Sequence, residues 1–177
     1  MKYLHGQKVY LRALEPTDLE FLFRLENDSD VWEVSNTIAP YSKFVLKQYL
    51  DNSHKDIYEV KQLRLVICLS EEDNDRSLGF VDLFDFDPKN KRVGLGILIF
   101  SEKDRGQGFA KEALELLTSY AFEVLEMHQL YANISQDNNN SIGLFEQMGF
   151  VQSGVKKDWI IAAGAYKDEL FYQKFRN

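Results

Sequence analysis

The stretch Ile97–Lys111 (Ile-Leu-Ile-Phe-Ser-Glu-Lys-Asp-Arg-Gly-Gln-Gly-Phe-Ala-Lys) limits most tightly what this chain can fold into. An apolar, β-branched run breaks into a charged turn with two glycines, and a strong helix former follows. The first amides of a helix have no intrahelical partner, and the helix dipole adds partial positive charge there. Glycine lets the backbone approach an anion closely and adopt positive φ. Strand, glycine turn and helix N-terminus in that order predict a pyrophosphate cradle.

Two commoner phosphate loops fit less well. A dinucleotide fingerprint needs a third glycine where Lys111 stands, and a triphosphate loop needs a Gly-Lys-Ser/Thr ending that is absent. Alone, the motif is also compatible with a plain glycine turn before a helix, so the flanks must decide.

The chain has 177 residues, enough for one domain with a full core, and its 45% apolar and 14% aromatic content excludes a disordered class. Its 28 acids against 21 bases give a formal charge of -7. That balance argues against nonspecific nucleic-acid or anionic-membrane binding; it is compatible with a cationic substrate and equally ordinary for a cytoplasmic protein, which is the favoured reading. Cys68 is the single cysteine, set in an apolar run, so it reads as a core residue with no disulfide. His5, His54 and His128 have no ligand spacing, which predicts no metal site. No secretory leader or run of about 20 apolar residues is evident, so a cytoplasmic location is expected.

Alternation at Val9, Leu11 and Ala13 predicts a first strand over Gln7–Leu14. Glu15-Pro16-Thr17-Asp18 opens a helix to about Asn27, with Leu19, Leu22 and Phe23 inward. Asp28–Pro40 reads as a loop, and Ser42 caps a second helix with Phe44, Val45, Leu46, Tyr49 and Leu50 inward. Three strands follow (Leu63–Ser70, Leu78–Phe86 and Arg92–Phe100), joined by short turns that imply an antiparallel meander. Gly106 to about Leu125 is a helix, Gln129–Ser135 a strand, and Asn138–Met148 a helix ending at Gly149. Phe150–Ala162 and Ala165–Phe175 form a last strand pair around Gly164. The order is β-α-α-β-β-β-α-β-α-β-β: a single α/β domain over 1–177 with a mixed, mostly antiparallel twisted sheet and helices on both faces.

Lys103-Asp104-Arg105-Gly106-Gln107-Gly108-Phe109-Ala110 resembles the Arg/Gln-x-x-Gly-x-Gly/Ala motif of the GNAT N-acetyltransferase superfamily. The element order is similar too. Downstream, Asn138, Ser141, Phe145 and Gly149-Phe150 match that superfamily's second motif. The ending Gly164-Ala165-Tyr166-Lys167-Asp168 resembles the hairpin of the branch that holds spermidine and ribosomal-protein N-terminal acetyltransferases.

The resemblance implies acetyl-CoA as co-substrate, no metal, and a primary amine as acceptor: a protein N-terminus, a polyamine-like amine or an aminoglycoside-like compound. Arg105, Gly106, Gln107, Gly108, Phe109 and Ala110 would give amides to the pyrophosphate, with Lys103 in the Arg/Gln slot. Asn138 and Phe145 would meet the pantetheine arm, which lies along the strand ending at Ile99. A backbone amide near Leu98 would take the thioester carbonyl and its oxyanion. The oligomeric state is left open, a dimer among the options.

An amine must be neutral to attack a thioester, so the site needs a proton acceptor. Asp82 shares strand parity with Phe80, Phe84 and Phe86, and apolar surroundings there would suit a base. Asp85 falls on the opposite parity with Val81 and Leu83. Asp82, Asp85 and Glu33 are the acids expected to face the acceptor; Asp82 reads as well as a solvated or hydrogen-bonded acid, and for Asp85 and Glu33 the solvated acid is the leading reading. Three departures from the superfamily pattern stand out. Phe145 replaces the Tyr that protonates the thiolate in many relatives, which leaves water or another Tyr such as Tyr166 for that task, or a thiolate that leaves without an acid. Gly94 stands where many relatives carry a Glu base, and Thr37-Ile38 replaces the acid pair of polyamine enzymes. A non-catalytic acyl-CoA-binding regulatory module is therefore the rival reading, with a nucleotide-binding protein behind it.

Overall fold

The computed structural model describes residues 3–35, 37–70, 76–162 and 164–176. Seven strands make one sheet: β1 (Val9–Arg12), β2 (Leu63–Leu69), β3 (Ser77–Asp87), β4 (Arg92–Ile99), β5 (Gln129–Ser135), β6 (Val151–Ala162) and β7 (Ala165–Phe175). Their order is β1-β2-β3-β4-β5-β7-β6, and every neighbouring pair is antiparallel except β4–β5. The predicted α/β class, the mostly antiparallel sheet and the placing of helices on both faces all hold.

On one face lies α5 (Phe109–Glu123), with Ala113, Leu114, Leu117 and Ala121 fully buried against Val81, Leu83, Leu95 and Leu130. The one-sided spacing of those four residues is what makes this segment a buried helix. Beside it α6 (Asn139–Gln147) starts where the Asn138 side chain accepts from the Ser141 amide at 3.1 Å. It stops at Gly149, whose φ of 80° lets the Phe150 amide close back on the Phe145 carbonyl at 3.0 Å.

The other face carries a second core. There α1 (Leu19–Glu26), α2 (Ser29–Ser35) and α3 (Lys43–Asp51) set Leu22, Leu25, Val31, Leu46 and Leu50 on Val66, Cys68 and Phe80. This core stops at Leu98 of β4 and at Phe100 just past its end. Cys68 is fully buried and unpaired, as expected.

Three sequence expectations fail here. The loop expected over Asp28–Pro40 contains α2, because Asp28 caps it through the Asp30 and Val31 amides, Val31 is buried, and the Trp32 indole donates to the Glu26 carbonyl at 2.9 Å. In α3 only Leu46 and Leu50 are buried, while Phe44 and Val45 face outward. A short helix, α4 (Ile57–Val60), was not anticipated; Asp56 caps it through two amides. Among the described residues no helix is long and apolar enough to cross a membrane, and no cluster of three metal-ligating side chains occurs.

The most consequential difference lies in β3. Its pairing with β4 runs regularly to Phe84–Gly94 and resumes at Asp87–Arg92, so β3 carries one extra residue. Asp85 absorbs it with a left-handed φ of 50°. The bulge reverses strand parity. Phe86 therefore joins Val81 and Leu83 in the α5-side core, and Asp85 leaves that side, opposite to the simple alternation.

Candidate active site

β4 and β5 pair over only three positions, Arg92–Gln129, Val93–Leu130 and Gly94–Tyr131. Beyond Gly94 they part, while β5 stays paired with β7 along its other edge from Gln129–Phe175 to Ser135–Glu169. Among the described residues the fork leaves one edge of β4 from Leu95 to Ile99 without a strand partner. Phe100 donates to the Leu78 carbonyl at 2.9 Å and the Leu98 carbonyl abuts Gly79, so even positions face β3. The amide expected at Leu98 is thus turned away from the fork, because peptide groups alternate edges along a strand. Ile97 and Ile99 carry the edge that faces the opening.

The chain leaves the open end of the fork through a short 3-10 turn, Glu102–Asp104, and enters the glycine turn. Gly106 and Gly108 have φ of 74° and 85°, left-handed values that favour glycine. The Glu112 amide is the first of α5 to bond within the turn, to Gly108 O at 3.1 Å. The amides of Gly106, Gln107, Gly108, Phe109 and Ala110 therefore donate to nothing among the described residues. Asp104 is buried under a two-bond pair with Arg76, which pins the turn's start. Gln107 closes on the Lys103 carbonyl at 2.6 Å. The Lys8 ammonium bonds to Gln107 O at 3.0 Å and sits 3.2 Å from where a Gly108 Cβ would be. Lys8 is a cation at the cradle that local sequence reasoning missed, since it comes from the far end of the chain. The Arg105 guanidinium lies across the strand end, 3.3 Å from Ile99 O.

The acceptor candidates lie on the α1–α3 face, just past the edge of the second core. Phe84 meets Tyr131 edge to face at 5.7 Å, and Tyr131 meets Phe171 at 5.3 Å. The Tyr131 hydroxyl donates to Asp85 Oδ2 at 3.3 Å. Asp82 does share this face with Phe80 and Phe84, but its surroundings are not apolar. The Arg64 guanidinium donates to both its oxygens, at 2.7 and 3.2 Å, and reaches on to Glu26. Burial alone would lower the Arg64 pKa; the two carboxylates outweigh it and the net shift is upward. Asp82 is thus one arm of an ion-paired triad rather than an unengaged base. The Tyr131 phenol is pushed up to about 12, first by burial and then by the charge and hydrogen bond of Asp85.

Gly94, at the position where the resemblance leads one to expect a Glu, has its side-chain space filled from outside. A Cβ there would lie 2.2 Å from the Phe84 ring. One position along, a Cβ at Gly96 would make only ordinary contacts at 3.7 Å and beyond. Tyr131, Phe84 and Arg64 were not singled out from the sequence. The available signal was the alternation of β5, which puts Tyr131 opposite the buried Leu130 and Ala132.

The remaining expected site residues divide. Asn138 engages its Oδ1 as a helix cap, and its Nδ2 bonds to nothing among the described residues. Phe145 is 3% exposed and packs edge-on against Phe150 at 5.0 Å, so its ring belongs to the core and not to an open wall. Tyr166 is 65% exposed near the tip of the β6–β7 hairpin. It stands seven residues along β7 from Gln173, the partner of Tyr131, which is about 23 Å at strand rise. That separation removes it as a proton source at the apex of the fork. The Glu33 backbone lies in α2, and its side chain falls outside the described ones.

Residues 8–151 match the acetyltransferase (GNAT) domain family. The chain is 28% identical over 163 residues to the spermidine N(1)-acetyltransferase of Vibrio cholerae, covering 92% of this chain and 90% of that one. It is 29% identical over 185 residues to a putative ribosomal N-acetyltransferase of Bacillus subtilis, covering 94% and 91%. The crystal structure of the Vibrio cholerae spermidine N-acetyltransferase in complex with CoA and spermine superposes with a TM-score of 0.83 at 25% identity, over 96% of each chain. With a fork in the sheet, a glycine cradle at its open end and a family match spanning most of its length, the chain belongs to the GNAT acetyltransferases.

Proposed function

We propose that this chain transfers the acetyl group of acetyl-CoA to a primary amine by direct attack, the amine entering from the open face beside Gly96. Either a protein N-terminus or a small polyamine-like amine serves as acceptor, in line with the two kinds of relative named above. The observation that carries the reading is the β4 edge that has no strand partner among the described residues, running into the Gly106 to Ala110 amides, which donate to nothing there, with Lys8 alongside. An elongated ligand with a diphosphate at one end suits that shape: amides and a cation for the phosphates, a strand edge for an amide-bearing arm.

Bound acetyl-CoA supplies the activated acetyl thioester. The protein holds and orients. Gly106 to Ala110 bind the pyrophosphate, Lys103 and Arg105 flank it, and Asn138 reaches the arm through its Nδ2. From Ile99 to Leu95 is about 13 Å of strand, which carries the far end of the arm to the apex at Gly94 and Tyr131. The Ile97 amide, facing the fork, replaces Leu98 as the donor to the developing oxyanion. Asp85 faces the incoming amine, while Arg64, held by Asp82 and Glu26, braces the wall behind it. Positioning of amine and thioester supplies most of the rate advantage.

The test is release of free CoA thiol from acetyl-CoA across a panel of spermidine, a peptide with a free N-terminus, an aminoglycoside and a simple monoamine. Thiol release above the hydrolysis background with at least one amine, and acetylated product by mass, is the expected result. Tight acetyl-CoA binding with no turnover on any amine favours the regulatory module instead. Phe145 and Gly94 are the observations that keep that reading in play.

A further inference from the structure

The two positions where the sequence departs from the residues the resemblance leads one to expect for proton handling, 145 and 94, are filled in ways the structure makes plain. At position 145 a phenylalanine is sealed in the core; at position 94 the Phe84 ring occupies the space of an absent side chain. Yet one hydroxyl and one carboxylate do meet at the apex of the fork. Tyr131 is the partner of Gly94, the last paired position before β4 and β5 diverge. The extra residue in β3 swings Asp85 over to it, 3.3 Å from hydroxyl to Oδ2.

The neighbouring strand carboxylates are engaged by cations. Asp82 is held by Arg64 at 2.7 Å, Asp87 by Arg92 at 3.2 Å and Glu169 by Lys156 at 2.6 Å. Asp85 is exposed and, among the described residues, has no cation within ion-pair distance; the Tyr131 hydroxyl is its one side-chain partner. Asp85 holds a left-handed backbone that an aspartate adopts at some cost, and such residues gather at functional sites.

We propose that Asp85 and Tyr131 form a proton relay, receiving the proton the amine loses and delivering one to the departing sulfur. The inference rests on the acetyltransferase reading above. The amine nitrogen bonds to the acetyl carbon, and the carbon–sulfur bond breaks with its electron pair leaving on sulfur. The nitrogen gives a proton to the Asp85 carboxylate. The Tyr131 phenol gives its proton to the sulfur, and the proton on Asp85 passes along the existing O–H···O line to the phenolate. Amide and free thiol are formed, and both residues return to their starting states. At rest the phenol stays protonated, its pKa raised by burial and by the charge on Asp85. Once Asp85 accepts a proton, the second of those causes disappears at the moment the thiolate needs one.

The relay is tested with Tyr131→Phe, Asp85→Asn and the double variant, measuring kcat and KM for an accepted amine and acetyl-CoA affinity by calorimetry. Tyr131→Phe keeps the ring and both aromatic contacts, so folding is preserved. Each single variant is expected to lose about 100-fold in kcat, the size of one general acid–base contribution, with acetyl-CoA affinity within about two-fold. A relay broken once is broken, so the double variant should lose about 100-fold again and not about 10,000-fold. Full multiplication in the double variant, or Tyr131→Phe turning over within about three-fold of wild type, overturns the relay while leaving the acetyltransferase intact. If Asp85→Asn also loses acetyl-CoA affinity, Tyr131→Phe decides by the same criterion. Wild-type protein that acetylates no amine overturns both readings together.

Discussion

The glycine cradle and the proposed acceptor face lie at opposite ends of one fork and are built in opposite ways. The cradle uses main-chain amides from consecutive residues, Gly106 to Ala110, with Lys8 added from a distant part of the chain. Its chemistry depends on two left-handed glycines and a helix start, and side-chain identity matters little there. The acceptor face uses side chains from separate strands, Phe84 and Asp85 on β3, Tyr131 on β5 and Phe171 on β7. Its arrangement hangs on a single bulge. A backbone site tolerates drift in the surrounding sequence and preserves the coenzyme. A side-chain site can be rebuilt by a few substitutions, which is where acceptor preference and proton handling can change.

Substitution in the cradle should have the largest effect. Gly108→Val places a β-branched residue at φ 85° and puts its Cβ 3.2 Å from the Lys8 ammonium. Such a residue resists left-handed backbone by roughly 1–2 kcal/mol before any lost contact is counted. Acetyl-CoA affinity should fall by about 100-fold in titration calorimetry. Unchanged affinity would mean that the diphosphate is held somewhere else, and the contrast between the two ends of the fork would collapse.

This difference in construction also decides what could be read from the chain alone. The cradle is contiguous, so strand, Gly106, Gly108 and helix were legible in fifteen residues, as were the Asn138 cap and the Gly149 stop. The acceptor face is not contiguous. Simple alternation along β3 assigned Asp85 to the α5 side, and the bulge at Asp85 reverses it. No local pattern announces that Arg64, one strand away, would take Asp82 out of its expected apolar setting. The departures at Phe145 and Gly94 were visible as letters. Their meaning needed coordinates, because only the packing shows a core ring at one and the Phe84 ring filling the other.

A pair of glycines on β4 separates packing from access on the acceptor face. In Gly94→Ala the new methyl meets the Phe84 ring at 2.2 Å and must push it off Tyr131. A destabilisation of about 1–2 kcal/mol is expected by denaturant unfolding, shrinking when Phe84→Leu removes the ring edge. Gly96→Ala meets only ordinary contacts and should leave stability unchanged or raise it by about 0.5 kcal/mol. If the amine enters over Gly96, that same variant should raise the amine KM several-fold with acetyl-CoA affinity intact. Equal stability losses at both glycines would show that Phe84 does not occupy the position 94 space.

The smallest effect probes the coupling inside the acceptor face directly. Wild-type Tyr131 should titrate at about 12, followed by the ring-carbon NMR shift of labelled tyrosine and assigned with Tyr131→Phe. Asp85→Asn removes the negative charge, one of the causes of the rise, but leaves the burial that is the larger one. The pKa should therefore drop towards the ordinary value of 10.0 without reaching it. The sign carries over to stability. A raised tyrosine favours the fold while protonated, so that contribution is complete below about 10 and is lost as pH climbs towards about 12. Asp85→Asn narrows this alkaline window from its upper end. An unmoved Tyr131 titration in Asp85→Asn would show that hydroxyl and carboxylate are neighbours without being coupled, and a relay through them would have no physical basis.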